Sequence, residues 1–233
     1  YKSMINNDMC SVYVVGNVNK KEVTSLIENS FSLSSTTFDF NHNLNIDCTA
    51  QSTETIIEKD TVDQAKLNLG YRFPTHYGNE DYYALVVLNT MFGGDPSSVL
   101  FNEVREKQSL AYSIHSQLDG KNGYLFVLSG VSVEKYDIAK NTIIEEFEKF
   151  KVGDFSEEKL ALAKKIIISQ RQEIADRPKG IIEVMQNQLL LNHPQSDKDY
   201  VELIDKVTKE DVIKMANQAY LDTIYVLTKG GQS

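Results

Sequence analysis

Two of the predicted strands form a hairpin, and long helical runs separate the other strands. This order restricts the fold. Residues 66–73 alternate strictly between apolar and other side chains, as a strand with one buried face does. Further strands are predicted at 9–15, 53–58, 110–118, 124–131 and 220–228. Helical spacing is found at 19–31, 79–92, 133–151, 156–174, 178–192, 198–206 and 208–220. Because single helices do not join successive strands, we predict an α+β fold, with a largely antiparallel sheet and helices packed on one face.

Short polar and glycine motifs predict where helices begin and end. Asn19 followed by Glu22 predicts a capping box at the start of the first helix. The pair Gly93-Gly94 predicts a helix end, and Asp95-Pro96 predicts the start of the next helix. The segment 119–123 contains two glycines and predicts the turn of a hairpin.

A change in composition divides the chain. Residues 33–52 are rich in Ser, Thr and Asn, which is typical of a linker. We therefore predict that residues 1–32 are the C-terminal tail of a preceding, truncated domain and that residues 53–233 form one complete domain. The strand pattern at 11–16 is similar to the one at 223–230, as expected if two related units end alike, although short strands also resemble each other by chance. Because the chain begins with Tyr rather than Met, we interpret it as a fragment of a longer protein.

Charge and composition exclude some classes of partner. The formal net charge is -9 at pH 7, so neither a nucleic-acid partner nor an electrostatic membrane anchor is expected. No apolar run is long enough to span a bilayer. The two cysteines, Cys10 and Cys48, form no Cys-x-x-Cys pair, and we interpret them as reduced thiols. The expected location is therefore cytoplasmic.

Motifs for metal, nucleophile and phosphate chemistry are not found in the sequence. No two of the four histidines have the spacing that would hold zinc from one helix face, and neither His-Glu-x-x-His nor its inverted form occurs. The histidines are His42, His76, His115 and His193. There is no Gly-x-Ser-x-Gly elbow, and the glycine pair at 93–94 lacks the Lys-Ser/Thr ending of a phosphate loop. We predict no metal and no cofactor in this chain.

The most specific segment is residues 92–116, FGGDPSSVLFNEVREKQSLAYSIHS. It closely resembles the Gly-Gly…Ser-Ser-x-Leu-Phe-x-x-(Ile/Val)-Arg-Glu-Lys-x-x-Leu-Ala-Tyr-Ser pattern of the pitrilysin/insulinase zinc metallopeptidases, which include bacterial processing proteases. The resemblance extends over about residues 53–229, and residues 1–32 resemble the end of the preceding domain of that family. It implies a C-terminal, non-zinc domain of the processing-peptidase type.

The resemblance also implies roles for individual residues. In that family, zinc is held by His-x-x-Glu-His in an N-terminal half, and a second half or subunit closes over the peptide. The second half supplies an Arg and, seven residues later, a Tyr, which stabilise the scissile carbonyl. Arg105 and Tyr112 are therefore implied as the catalytic pair, and Gly93 and Gly94 as substrate-binding residues. The implied partners are peptide substrate and a zinc-bearing peptidase domain or subunit, with the zinc in that partner half.

The two residue types suit this role by their own chemistry. Arg stays charged and offers several donors, and Tyr offers a hydroxyl donor at neutral pH. Two such donors can stabilise a developing oxyanion. The alternative for Arg105 is an ion pair with Glu103, Glu106 or another acid on the helix surface. The alternative for Tyr112 is a half-buried position in a strand.

A separate candidate for peptide binding is the strand at 66–73, which could serve as an edge for an extended peptide.

Two functions are open at this point. In the first, the chain is the non-zinc half of a metallopeptidase system, which grips peptide but is not active alone because His-x-x-Glu-His is absent. In the second, it is a non-catalytic structural or assembly subunit of the same fold. The zinc half belongs either to the same parent chain or to a separate subunit.

Overall fold

The computed structural model describes residues 10–31, 52–190 and 193–230. Its strands are β1 (Glu54–Asp60), β2 (Ala65–Arg72), β3 (Ala111–Asp119), β4 (Tyr124–Val131) and β5 (Tyr220–Lys229). Its helices are α1 (Lys20–Ser30), α2 (Tyr82–Asn89), α3 (Leu100–Lys107), α4 (Tyr136–Lys151), α5 (Glu157–Ala175), α6 (Pro178–Leu190), α7 (Asp197–Lys206) and α8 (Lys209–Gln218).

The described residues fall into two compact units. Residues 10–31, 170–190 and 193–195 belong to the first unit, and residues 52–169 and 196–230 to the second. Residues 33–51 of the predicted linker lie outside the described residues. The predicted division into domains therefore stays a prediction.

The first unit contains the predicted capped helix but not the strand predicted before it. Asn19 caps α1, because its side-chain oxygen accepts a hydrogen bond from the backbone N–H of Lys21 at 3.0 Å. Glu22 contacts the side-chain amide of Asn19 at 3.4 Å, and the backbone bond that would complete a capping box is not seen. Residues 10–15 are not a strand. That prediction is wrong because a strand needs a paired neighbour, and this segment pairs with no strand among the described residues.

The second unit is built on a five-stranded sheet in the order β1-β5-β2-β4-β3. β1 is parallel to β5, and the other three pairings are antiparallel. β3 and β4 form the predicted hairpin, with Asp119 opposite Tyr124. The returning strand β5 enters between β1 and β2, so the first and last described strands meet in one sheet. The prediction of a largely antiparallel sheet is confirmed.

The strand proposed as a peptide-binding edge is a central strand. Leu69 of β2 lies opposite Val127 of β4 on one side and opposite Ile224 of β5 on the other. Both sides of the β2 backbone are therefore paired, and the prediction of an edge at 66–73 is wrong. The edges of the described sheet are β1 and β3.

The backbone between α2 and β3 winds more widely than an α-helix. α2 continues into a π-helical turn, Thr90–Gly94, and α3 has the same wide winding. Asp95 was predicted to begin α3, but its side chain accepts a hydrogen bond from the backbone N–H of Ser97 at 2.8 Å. This local bond closes a turn, so α3 begins only at Leu100.

The helices cover one face of the sheet. Along β2, buried residues alternate with half-exposed or exposed ones, because successive side chains of a strand point to opposite faces. The fully buried large side chains are Leu67, Leu69, Phe73, Leu85, Leu88, Phe92, Leu100, Leu125, Ile143, Phe147, Phe150 and Ile204. On the other face, Phe126 of β4 is 38% exposed. The predicted α+β architecture, with helices on one face, is confirmed.

Tyr71→Phe is expected to stabilise the second unit by about 1 kcal/mol. The Tyr71 ring stacks on Phe147 with the ring centroids 4.4 Å apart, so a Phe ring keeps this contact. The Tyr71 hydroxyl is buried without a hydrogen-bond partner among the described residues, and burial raises the pKa of Tyr71. An unsatisfied buried polar group costs about 1–3 kcal/mol. The midpoint of thermal unfolding should rise by about 2–4 °C, and a lower midpoint would contradict this assignment.

Candidate substrate-gripping site

α3 and β3 position the two predicted catalytic residues. Arg105 lies in the last turn of α3, and Tyr112 is the second residue of β3. Between them, the backbone N–H of Leu110 donates to the carbonyl of Val104 at 2.9 Å. Ser109 has a φ of 49°, and a left-handed residue of this kind commonly ends a helix and redirects the chain. The strand therefore starts beside the last turn of the helix.

Arg105 and Tyr112 line the same open cleft, which has a volume of about 610 Å³. The walls come from the end of α3, the start of β3 and the segment after β4. The lining residues are Arg105, Glu106, Ser109, Leu110, Ala111, Tyr112, Ser132, Glu134 and Lys135. This volume is in the usual range for ligand-binding clefts. Two donors that are seven residues apart in the sequence thus share one surface.

The guanidinium of Arg105 is held over an aromatic ring of its own helix. Its Cζ lies 4.6 Å from the centroid of the Phe101 ring, one helical turn earlier, which is the geometry of a cation–π contact. The Nε lies 3.6 Å from Oε1 of Glu106, which is an ion-pair distance but too long for a good hydrogen bond. Glu103 instead pairs with Lys107 at 2.7 Å. Among the alternatives for Arg105, the structure thus contains a loose pair with Glu106 and no pair with Glu103.

Tyr112 projects into solvent from a β-bulge. The β3–β4 register shifts between Ala111 and Ser113, and Tyr112 has no counterpart on β4 in that register. A bulge redirects the side chain at its position, and bulges are frequent next to active sites. Tyr112 is 66% exposed. The alternative of a half-buried strand position is therefore wrong.

The charges around the cleft are balanced. Arg105 and Lys135 contribute positive charge, while Glu106 and Glu134 contribute negative charge. A balanced cleft favours a polar ligand such as a peptide backbone over a strongly charged anion. The backbone groups and the hydroxyl of Ser109 add neutral hydrogen-bonding capacity.

Gly93 and Gly94 do not line the cleft. A Cβ at Gly93 would lie 2.8 Å from the backbone nitrogen of Ser116 and 2.8 Å from Cδ1 of Leu100, and at Gly94 it would lie 2.7 Å from the side-chain nitrogen of Asn89. Ser116 also donates a hydrogen bond from Oγ to Oδ1 of Asn89 at 2.7 Å. Gly93 therefore lets the π-helical turn pack against β3, and Gly94 leaves room for Asn89. The predicted contact of both glycines with substrate stays a prediction.

Ser109 gives a stability test of the turn that joins the two donors. A left-handed conformation costs an L-residue about 1–2 kcal/mol relative to Gly, and the cost is greatest for β-branched residues. We expect Ser109→Gly to raise the free energy of unfolding by up to about 1 kcal/mol and Ser109→Val to lower it by about 1–2 kcal/mol. Urea unfolding of both variants checks the order, and equal stabilities would contradict the assigned turn.

Metal-ligating side chains are dispersed in the part of the chain that the structure describes. Within residues 10–31, 52–190 and 193–230, no three His, Cys, Asp or Glu residues are grouped to hold a metal ion. His115 is exposed on β3, and Nδ1 of His76 lies 2.8 Å from the carbonyl oxygen of Tyr77.

None of the helices within residues 10–31, 52–190 and 193–230 is long and apolar enough to cross a membrane.

Several residues of the site were not predicted from the sequence. Phe101 precedes Arg105 by four residues, and this spacing alone would have indicated a contact on one helix face. Ser132, Glu134 and Lys135 reach the cleft only because β4 pairs with β3. No local signal marks these three residues.

Comparisons with known proteins concern the family and the fold of the chain. The family described as "Peptidase M16 inactive domain" matches residues 1–167. "Probable inactive metalloprotease YmfF" of Bacillus subtilis is 40% identical over 227 residues, which are 97% of this chain and 53% of that protein. "Uncharacterized zinc protease YmxG" of the same organism is 28% identical over 173 residues, which are 73% of this chain and 42% of that protein.

A solved structure has a similar fold. A conserved protein from Enterococcus faecalis V583 has a TM-score of 0.79 and 25% identity, and the match covers 94% of this chain and 51% of that chain. The chain thus spans about half the length of the relatives that it matches. The family match and the named relatives confirm the predicted resemblance to the pitrilysin/insulinase peptidases, and the chain belongs to the peptidase M16 inactive-domain family.

Proposed function

We propose that this chain binds peptide substrate and supplies Arg105 and Tyr112 to a zinc active site on another domain or subunit. The observation that carries the proposal is the shared cleft, which both side chains line although they belong to different elements. The exposure of Tyr112 and the position of Arg105 over Phe101 support it. The chain itself then acts as the non-zinc half of the peptidase.

In this proposal, both side chains donate hydrogen bonds to one peptide carbonyl oxygen. As that oxygen gains negative charge during cleavage, an Arg N–H and a Tyr O–H stabilise it more than they stabilise the substrate. The cation–π contact with Phe101 limits the positions that the guanidinium samples, which lowers the cost of ordering it on binding. Zinc in the partner half would supply the activated water.

The names of the relatives support a zinc-free role for this half. One is named an inactive metalloprotease and another a zinc protease, and each is about twice as long as the matched part. Both arrangements of the zinc half stay within the proposal: the same parent chain or a separate subunit. A cytoplasmic location also belongs to the proposal and rests on the interpretation of the cysteines as reduced thiols.

A scaffold function is the second candidate, because the relative with 40% identity is named as inactive. A pure assembly subunit needs no exposed donors in a cleft. The two functions therefore differ in what Arg105 and Tyr112 do: they are required for cleavage in the first and dispensable in the second.

The test is an assay of peptide cleavage by the intact parent protein, purified from its own cells with whatever co-purifies. Wild type, Arg105→Ala and Tyr112→Phe are compared on a fluorogenic peptide, each with and without a chelator. Chelator-sensitive cleavage that depends on both residues supports the gripping role. Unchanged cleavage by both folded variants contradicts it, and wild type without any metal-dependent cleavage favours the scaffold.

A further inference from the structure

Phe101 lies against one face of the Arg105 guanidinium. The centroid of its ring is 4.6 Å from Cζ of Arg105, and Phe101 itself is half-buried on α3. An aromatic side chain has only two rotatable bonds, so a half-buried ring presents a nearly fixed surface. The face of such a ring attracts a cation that lies above it. One face of the guanidinium is therefore held against a nearly fixed surface.

A carboxylate faces one edge of the same guanidinium. Oε1 of Glu106 lies 3.6 Å from Nε of Arg105, and a carboxylate in this position repels the partially negative oxygen of a peptide carbonyl. Among the described residues, Arg105 has no further ion pair and no side-chain hydrogen bond. The donors that stay open to a peptide are therefore the terminal Nη1 and Nη2 groups.

The other charged residues of α3 leave Arg105 available to a ligand. Glu103 pairs with Lys107 at 2.7 Å, one helical turn away. The contact with Glu106 is loose, and the side chains of Arg105 and Glu106 keep 40% and 55% of their surface exposed, so it contributes little energy. A tight pair with either carboxylate would have to be broken before Arg105 could bind a peptide. Arg105 is thus oriented mainly by the Phe101 ring, while its terminal donors stay free.

We propose that Phe101 is a positioning residue, which holds Arg105 so that its terminal Nη groups face the scissile carbonyl oxygen. The inference rests on the proposed function, because this oxygen is the one that Arg105 and Tyr112 stabilise. Phe101 is not among the residues that line the cleft, so it acts through Arg105 and not on the peptide. A guanidinium that is already oriented loses less freedom in the transition state. Phe101 should therefore affect kcat and leave KM unchanged.

Two substitutions of Phe101 in the intact parent protein, purified with its partners, test this role. Leu keeps an apolar side chain and removes the ring face, whereas Tyr keeps the face. We expect Phe101→Leu to lower kcat for the fluorogenic peptide about two- to fivefold, as the loss of one partly exposed cation–π contact predicts. Phe101→Tyr should keep kcat within about 1.5-fold of the wild-type value, because a Tyr ring also attracts a cation.

A double-variant cycle shows whether Phe101 acts through Arg105. In the Arg105→Ala background there is no guanidinium to orient, so Phe101→Leu should cause no further loss of kcat. Phe155→Leu is the matched control, since it removes a ring that lies 4.8 Å from Nζ of Lys209, away from the cleft. Below its unfolding temperature, this control should keep kcat within about 1.5-fold, because it changes no contact of Arg105.

NMR spectroscopy tests the contact without any cleavage. In the parent protein with isotopically labelled arginine, each arginine gives one Nε–Hε signal, and the signal of Arg105 is the one that Arg105→Lys removes. The ring current of an aromatic side chain shifts protons above its face to lower frequency. Phe101→Leu should therefore move the Arg105 signal to higher frequency, while Phe101→Tyr and Phe155→Leu should leave it in place.

Several results would overturn the inference. The positioning role is wrong if Phe101→Leu keeps kcat, if it raises KM instead, or if Phe101→Tyr loses as much kcat as Phe101→Leu. It is also wrong if the loss of kcat persists at full size in the Arg105→Ala background. An Arg105 signal that stays in place in Phe101→Leu would mean that the ring does not hold the guanidinium.

The outcomes separate this inference from the proposed function. If Arg105→Ala and Tyr112→Phe lose cleavage while Phe101→Leu cleaves normally, the gripping role stands and the positioning role fails. If the Arg105 signal moves in Phe101→Leu while Arg105→Ala and Tyr112→Phe cleave normally, the ring contact stands. The proposed function then fails, and the positioning role fails with it.

Discussion

Arg105→Ala and Tyr112→Phe are each expected to lower kcat/KM for peptide cleavage by the intact parent protein at least about tenfold. Loss of one oxyanion donor typically costs about 2.7–4 kcal/mol of transition-state stabilisation, and tenfold is a conservative bound because the second donor stays in place. The loss should appear mainly in kcat, since the donors act on charge that develops during the reaction. Steady-state kinetics on one fluorogenic peptide measures both parameters.

Matched controls separate a lost donor from a disturbed surface. Lys107→Ala removes a positive charge from the same helix, where Lys107 pairs with Glu103. Tyr225→Phe removes a hydroxyl from β5, which is separated from β3 by two strands. Both controls should keep kcat/KM within about twofold, as exposed substitutions away from a site usually do. A control variant that loses as much kcat/KM as the donor variants would contradict a special role for the pair.

The double variant tests whether the two donors act on the same oxygen. Groups that act as a unit are strongly non-additive. Arg105→Ala combined with Tyr112→Phe should therefore lose less than the product of the two single losses. A loss equal to the product of the two single losses would mean that the two side chains act at separate places on the peptide.

Gly93→Ala is expected to lower the free energy of unfolding by about 2–3 kcal/mol. The added Cβ would lie 2.7 Å from Oγ of Ser116 and 2.8 Å from its backbone nitrogen. The Ser116 side chain can rotate, but the backbone nitrogen belongs to β3 and is held by the sheet. Forcing a methyl group into such a contact typically costs about 1–3 kcal/mol. The midpoint of thermal unfolding should fall by roughly 5–10 °C.

Gly70→Ala is the matched control for Gly93→Ala. A Cβ at Gly70 would have no neighbour nearer than 3.9 Å, and Ala is favoured over Gly inside a strand by about 0.5–1 kcal/mol. Stability should therefore be unchanged or slightly higher. A Gly93→Ala variant as stable as Gly70→Ala would contradict the tight packing of the π-helical turn on β3.

The Gly93→Ala variant also tests the predicted role of the glycine pair in substrate binding. Below its unfolding temperature, Gly93→Ala should keep KM near the wild-type value if Gly93 only allows the turn to pack. A raised KM in the folded variant would instead support contact with the peptide. Because Gly93 is buried and does not line the cleft, we expect KM to be retained.

Local patterns predicted most of the elements and indicated Arg105 and Tyr112 as candidate donors. Residues 66–73 alternate with period two, and β2 forms there; the glycines after residue 119 predict the turn between β3 and β4. The pattern around Arg105 and Tyr112 placed the chain in its family, which the match over residues 1–167 confirms. Local patterns failed at 10–15, where a strand sequence has no paired neighbour among the described residues.

The sequence by itself determined most of the strands and helices, the spacing of Arg105 and Tyr112, and the family. These follow from side-chain periodicity and short motifs, which act over a few residues. Only the tertiary structure decided that β2 is central and β3 an edge, and that Ser132 and Lys135 complete the cleft. Strand order depends on which distant segments pair, and periodicity places a side chain on a face without choosing the neighbouring strand. The positions of the two sheet edges and the full lining of the cleft therefore became visible only in the fold.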